Sequence, residues 1–114
     1  MRPQQPRARP VVEHRDGVTF VTLTAGQPRD HGNMIARELE GLTEDCRRGL
    51  VLDFRNVRYI QSDELGTLVT LHKKMTAASG RLTLTNLTPF VREVFAVTKL
   101  DRLLEIRPPG ASAG

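Results

Sequence analysis

The chain has 114 residues, 39% of them hydrophobic and 26% charged, which fits one globular domain whose core needs no disulfide or metal. Aromatic residues are scarce at 4% and Trp is absent, which argues against a surface that stacks single-stranded bases. The net charge of +4 overstates basicity: Arg2, Arg7, Arg9 and Arg107 lie in the flanks, leaving thirteen bases against thirteen acids over residues 11–106, so no basic face marks the body for nucleic acid.

Residues 1–10 carry three prolines and no periodicity, and read as a disordered basic tail. The body opens with two β-branched runs, 11–15 and 18–24, joined by Asp16-Gly17, a strong hairpin signal. Residues 25–32 are rich in Gly, Pro and Asp and read as a loop. A helix is predicted from about Asn33, a suitable N-cap, to about Cys46, with Ile35, Leu39, Leu42 and Cys46 as its apolar stripe. Cys46 is the single cysteine, and its place on that stripe makes it a small buried hydrophobe rather than a reactive thiol. The apolar run 50–54 reads as a strand covered on both faces.

The strongest helical pattern runs from Ser62 to about Ser79. Leu65, Leu68, Val69, His72 and Met75 form its stripe, and Gly80 falls where a helix C-terminal glycine belongs. Residues 81–86 alternate as a strand. Thr88-Pro89 then reads as an N-cap followed by Pro at the first helical position, with Leu87, Val91, Val94 and Phe95 on one face. A last short strand is predicted over 103–106. The resulting order, β-β-α-β-α-β-α-β, predicts an α/β domain over 11–106 with a mixed four- to five-stranded sheet and packed helices. Residues 107–114 read as a flexible tail.

Enzyme signatures are missing. There is no Gly-rich phosphate loop and no nucleophile elbow. His14, His31 and His72 are far apart in sequence, and no Cys/His spacing suits zinc, so neither metal nor cofactor is expected. His72, on the predicted stripe, reads as a packed or edge residue. No apolar run is long enough to span a membrane, and the arginine-bearing N-terminus lacks the apolar segment of a secretory signal, so a cytoplasmic location is expected.

The informative stretch is Leu52-Asp53-Phe54-Arg55-Asn56-Val57-Arg58-Tyr59-Ile60-Gln61-Ser62-Asp63-Glu64-Leu65-Gly66, where a strand ends, a short loop follows and a helix begins. This stretch resembles the signature of STAS domains, the anti-sigma-factor-antagonist type. Their pattern reads L-D-F-x-x-V, then a hydrophobic residue and D-S-S/T-G-L-G. Leu52, Asp53, Phe54 and Val57 match the first part, and Ser62, Leu65 and Gly66 the second. Gly80-Arg81-Leu82, Asn86-Leu87, Phe95, Thr98, Leu100 and Asp101 fit the later elements. Three positions depart from the pattern. The Asp before the serines is Gln61, the phospho-acceptor Ser or Thr is Asp63, and the following Gly is Glu64.

The resemblance implies a non-enzymatic protein-interaction module in a partner-switching pathway. Its partner would be an anti-sigma factor or a related kinase-like regulator, and its contact residues Arg58, Tyr59, Gln61, Ser62, Asp63, Glu64 and Gly66. Asp63 would then stand as a fixed substitute for the phosphate, with Ser62 as the remaining hydroxyl. Locally, Ser62 reads as a helix N-cap, and Asp63 and Glu64 as first-turn acids that suit the positive end of the helix dipole. Arg55 and Arg58 read as solvated loop charges unless an acidic partner meets them. Two further readings keep the fold: a constitutive scaffold that self-associates into a signalling assembly, and a binder of a nucleotide or lipid.

Overall fold

A computed structural model of the chain describes residues 11–24, 32–39 and 48–107. In order these form β1 (Val11–Arg15), β2 (Val18–Thr22), α1 (Met34–Leu39), β3 (Gly49–Asp53), α2 (Ser62–Ala77), β4 (Leu82–Thr85), α3 (Pro89–Val97) and β5 (Glu105–Ile106), with a 3-10 turn at Leu100–Arg102 before β5. The α/β architecture with a five-stranded mixed sheet is the one expected. The remainder of the predicted first helix, including Leu42 and Cys46, both tails and the 25–31 loop lie outside the described residues.

The strands lie side by side in sequence order, β1-β2-β3-β4-β5. The first pair is antiparallel because its connection is only Asp16-Gly17, whose φ of 53° and 81° are those of a tight hairpin turn. Every later neighbour is parallel and joined through a helix. Such crossovers are right-handed, so a sheet wound in sequential order carries its three helices on one face.

Alternation along the strands shows that face. Val21, Leu50, Leu52, Leu82 and Leu84 enter one apolar cluster with Ile35, Leu68, Leu71, Val91 and Phe95 of the helices. Phe54, just past β3, meets Phe95 of α3 edge to face at 6.4 Å, and both rings are fully buried. Each such burial contributes roughly 2–3 kcal/mol. Leu50, Val51 and Leu52 are all buried, as expected of a strand covered on both faces. Val51 points to the other side, beside its sheet neighbours Phe20 and Thr83, and stays outside the cluster. That side is a shallow groove of about 480 Å³ whose lining includes Glu13, Phe20, Val51, Asp53 and Thr85.

Two local readings shift by a residue. In α2 the buried positions are Glu64, Leu68, Leu71 and Met75, so Leu65, Val69 and His72 form the flank of the stripe rather than its centre. At its end, Ser79 and not Gly80 takes the left-handed conformation, with φ 64°. The Ser79 N–H donates to Thr76 O at 3.0 Å and the Gly80 N–H to Met75 O at 2.7 Å, the two bonds of a Schellman motif. The last strand is shorter than predicted because Leu103 and Leu104 turn back, both donating to Leu100 O.

Candidate functional site

Chain leaves the carboxyl end of β3 and crosses to α2 through residues 54–61, and three sets of contacts hold this crossing. Asp53 is the first. Its Oδ1 accepts the Arg55 N–H at 2.9 Å, and its Oδ2 accepts Arg55 Nε at 2.8 Å and Asn86 Nδ2 at 3.2 Å. Burial pushes the Asp53 carboxyl up. The hydrogen bonds from the Arg55 side chain and N–H and from Asn86, with the Arg55 charge, outweigh this and hold it below its ordinary value. Asn86 reaches it from a left-handed turn, φ 57°, which Asn tolerates. The second is Thr88, whose Oγ1 donates to Val57 O at 2.6 Å and joins the loop to the start of α3.

The third is Glu64, and it was misjudged from sequence. Its side chain is 1% exposed. Oε2 accepts the N–H groups of Met34 and Ile35, each at 3.2 Å, and Oε1 accepts the N–H of Gln61 at 3.0 Å. Glu64 thus caps the first turn of α1 and the start of its own helix at once. Asn33 completes the α1 cap as expected, its Oδ1 accepting the Ala36 N–H at 2.9 Å. The Asn33 amide also donates to Asp63 O at 3.1 Å, a second tie between α1 and α2. All three first-turn donors of α1 are satisfied by side chains. Glu64 is therefore an internal strut, and its expected place on a contact surface is corrected.

The N-cap of α2 is Gln61 rather than Ser62. Gln61 has extended backbone (φ −103°, ψ 161°), and its carbonyl accepts from Glu64 and Leu65, each at 3.0 Å. Ser62 is consequently the first residue of the helix. Its hydroxyl is exposed and engaged by none of the other described residues, and so is the Asp63 carboxylate beside it. Gly66, one turn on, is also exposed, and a Cβ there would meet nothing within 4 Å. Arg58 and Gln61 are exposed as well. Tyr59, 49% exposed, lies against Phe90 of α3, 52% exposed, with ring centroids 5.7 Å apart. The structure thus places Arg58, Tyr59, Gln61, Ser62, Asp63 and Gly66 on the surface around one helix start, and turns Glu64 inward. Phe90 was missed from sequence because the face read for this helix was that of Leu87, Val91, Val94 and Phe95, and Phe90 lies off it.

Among the described residues no cluster of His, Cys, Asp or Glu could hold a metal ion, and no helix is long and apolar enough to cross a membrane. The STAS-domain sequence profile matches residues 9–113. The chain belongs to the STAS-domain family.

Relatives agree. A STAS-domain containing protein of Pseudomonas aeruginosa strain UCBPP-PA14 is 32% identical over 59 residues, 52% of this chain and 58% of that protein. The chain thus spans less than two thirds of that relative. The putative anti-sigma factor antagonist BtrV of Bordetella bronchiseptica is 29% identical over 83 residues, 73% of this chain and 72% of that protein. Among solved structures, an anti-sigma factor antagonist from Mycobacterium paratuberculosis superposes with a TM-score of 0.74 at 21% identity, covering 95% of this chain and 92% of that one. A STAS-domain protein from Planctomyces limnophilus gives 0.71 at 21% identity, covering 87% and 89%. These structures share the fold.

Proposed function

We propose that this STAS domain is a non-enzymatic antagonist module that docks on an anti-sigma factor or related kinase-like regulator through the surface around the start of α2, with Asp63 as a fixed negative charge where the family pattern has its phospho-acceptor. The observation that carries the reading is the state of Asp63. Its carboxylate stands exposed at the second position of α2, beside the Ser62 hydroxyl, and neither group is engaged by another of the described residues. Phosphate at such a helix start adds about −1.5 to −2 charge where the backbone N–H groups favour anions, so it alters the surface without disturbing the fold. A carboxylate there supplies one permanent charge with no kinase.

The test is calorimetric titration of the purified chain and its Asp63→Ser variant into a kinase-like anti-sigma factor from the same genome, with ADP and with ATP. The reading expects tighter binding by Asp63→Ser and its release under ATP, with wild type binding weakly under both nucleotides. Equal binding by the two proteins, insensitive to nucleotide, points instead to a constitutive scaffold. The same unswitchable Asp63 favours that second reading, and a large assembly on gel filtration would support it.

A further inference from the structure

The α3 helix has two apolar faces where a helix laid on a sheet needs one. Val91 and Phe95, both fully buried, face the core. At about 100° per residue, Phe90, Val94 and Val97 fall within roughly 60° of one another on a different face, as a stripe about 10 Å long. Phe90 is 52% and Val97 73% exposed. Tyr59 extends this stripe, its ring against Phe90 at 5.7 Å, and the Thr88–Val57 hydrogen bond fixes α3 to the loop that carries Tyr59. The apolar strip therefore runs from α3 to the loop that enters α2.

Charge says what covers it. Glu93 sits about 60° round from Phe90 at the margin of the stripe, exposed, whereas Arg92, the other charged residue of α3, lies on the far side of the helix. A second copy packed antiparallel on the stripe would set Phe90 against Val97 and bring both Glu93 carboxylates to the centre of the pair, a like-charge opposition. A helix with a basic flank is instead attracted at Glu93.

We propose that the stripe of Tyr59, Phe90, Val94 and Val97 receives an amphipathic helix of the partner protein, with apolar residues at i, i+4 and i+7 and lysine or arginine beside them. This rests on the reading of the domain as a partner-binding module and extends its footprint from α2 to α3. Helix-on-helix packing suits a convex stripe, and exposed Tyr and Phe anchors are the residue types that dominate such interfaces.

The first arm of the test uses a hydrocarbon-stapled helical peptide with leucines at i, i+4 and i+7 and lysines beside them, titrated into the full labelled chain. The expected result is amide shift changes at Tyr59, Phe90, Val94 and Val97, with affinity falling about tenfold in Val97→Lys and in a peptide whose lysines are replaced by glutamates. Val97 is exposed at the last turn of α3, where Lys suits the helix dipole, so the variant keeps its fold. Shifts confined to the sheet groove, or binding indifferent to Val97→Lys, would overturn the proposal. So would sedimentation showing a wild-type dimer that Val97→Lys dissolves, since the occupant is then a second copy. The second arm titrates Val97→Lys into the anti-sigma factor. If that factor binds Val97→Lys as tightly as wild type, the stripe falls while the antagonist reading stands. If the factor binds no form of the chain but the peptide maps to the stripe, the partner class falls and the stripe stands.

Discussion

Glu64 offers the sharpest test of how this site is built. Its carboxylate is 1% exposed and accepts three backbone N–H groups, from Met34 and Ile35 at 3.2 Å and from Gln61 at 3.0 Å. In Glu64→Gln one oxygen becomes an NH2 group. Either way round, that group faces an N–H donor, so at least one buried donor loses its partner. A lost charge-assisted bond of this kind costs about 2 kcal/mol. Glu64→Ala orphans all three donors and should cost more, about 3–4 kcal/mol, unless water enters. Urea unfolding followed by circular dichroism gives the totals. Amide exchange shows where the loss lies, with protection falling at Met34, Ile35 and Gln61 before the β3 and β4 amides. If both variants stay within about 0.5 kcal/mol of wild type with an unchanged urea slope, Glu64 is not the strut described and its carboxylate has an equivalent partner elsewhere.

Three further outcomes follow from the same geometry. Gly66→Ala fills open space in the exposed interior of α2 and should stabilise the free chain by about 1 kcal/mol, raising Tm by about 4 °C in calorimetry; no gain would mean that the helix is distorted there. Ser79→Gly relieves a left-handed residue at φ 64° and should add about 0.5–1 kcal/mol in urea unfolding, whereas a loss would place the left-handed position elsewhere. Asp53→Asn should cost about 1–2 kcal/mol at pH 7. Because the folded state holds the Asp53 carboxyl below its ordinary 3.8, its stabilisation is present above that value and lost as pH falls through the lower folded value, so the variant and wild type should converge in urea unfolding near the acid end. A gap that persists there would assign the cost to shape rather than charge.

The fold was largely legible because its signals are local. Asp16-Gly17 between β-branched runs, Asn33 before an apolar stripe and Thr88-Pro89 each state a turn or a cap with a physical cause. The parallel order follows from strands separated by helices. The site was legible in position but not in orientation. Asp63 and Glu64 read alike from sequence, as two first-turn acids, and only the approach of α1 decides that one is buried. The acid at 64 also hid the true stripe of α2, since Glu64, Leu68, Leu71 and Met75 share the inward face and Leu65 then reads as its leader. Gln61 displaced Ser62 as N-cap because the Glu64 carboxylate at the third helical position holds the Gln61 N–H in a capping box.

That division of the two acids makes the fixed-charge reading quantitative. Glu64 spends its charge on buried amides, so of the two first-turn acids of α2 it is Asp63 that presents its charge outward, about half to two thirds of what a phosphate would bring. One exposed charge facing a partner is worth up to about 1 kcal/mol at low salt. Removing it should therefore change affinity for the anti-sigma factor about two- to fivefold, not by the orders of magnitude expected of a buried ion. Asp63→Asn keeps shape and removes charge. It should tighten binding by that factor in low salt, and the gain should shrink as salt rises toward about 1 M, where screening acts within about 3 Å. Asp63→Ser should match it without ATP and diverge from it only when a kinase can phosphorylate the new hydroxyl. If Asp63→Asn leaves affinity unchanged while Asp63→Ser alters it, shape and not charge governs the contact, and the carboxylate is no substitute for phosphate.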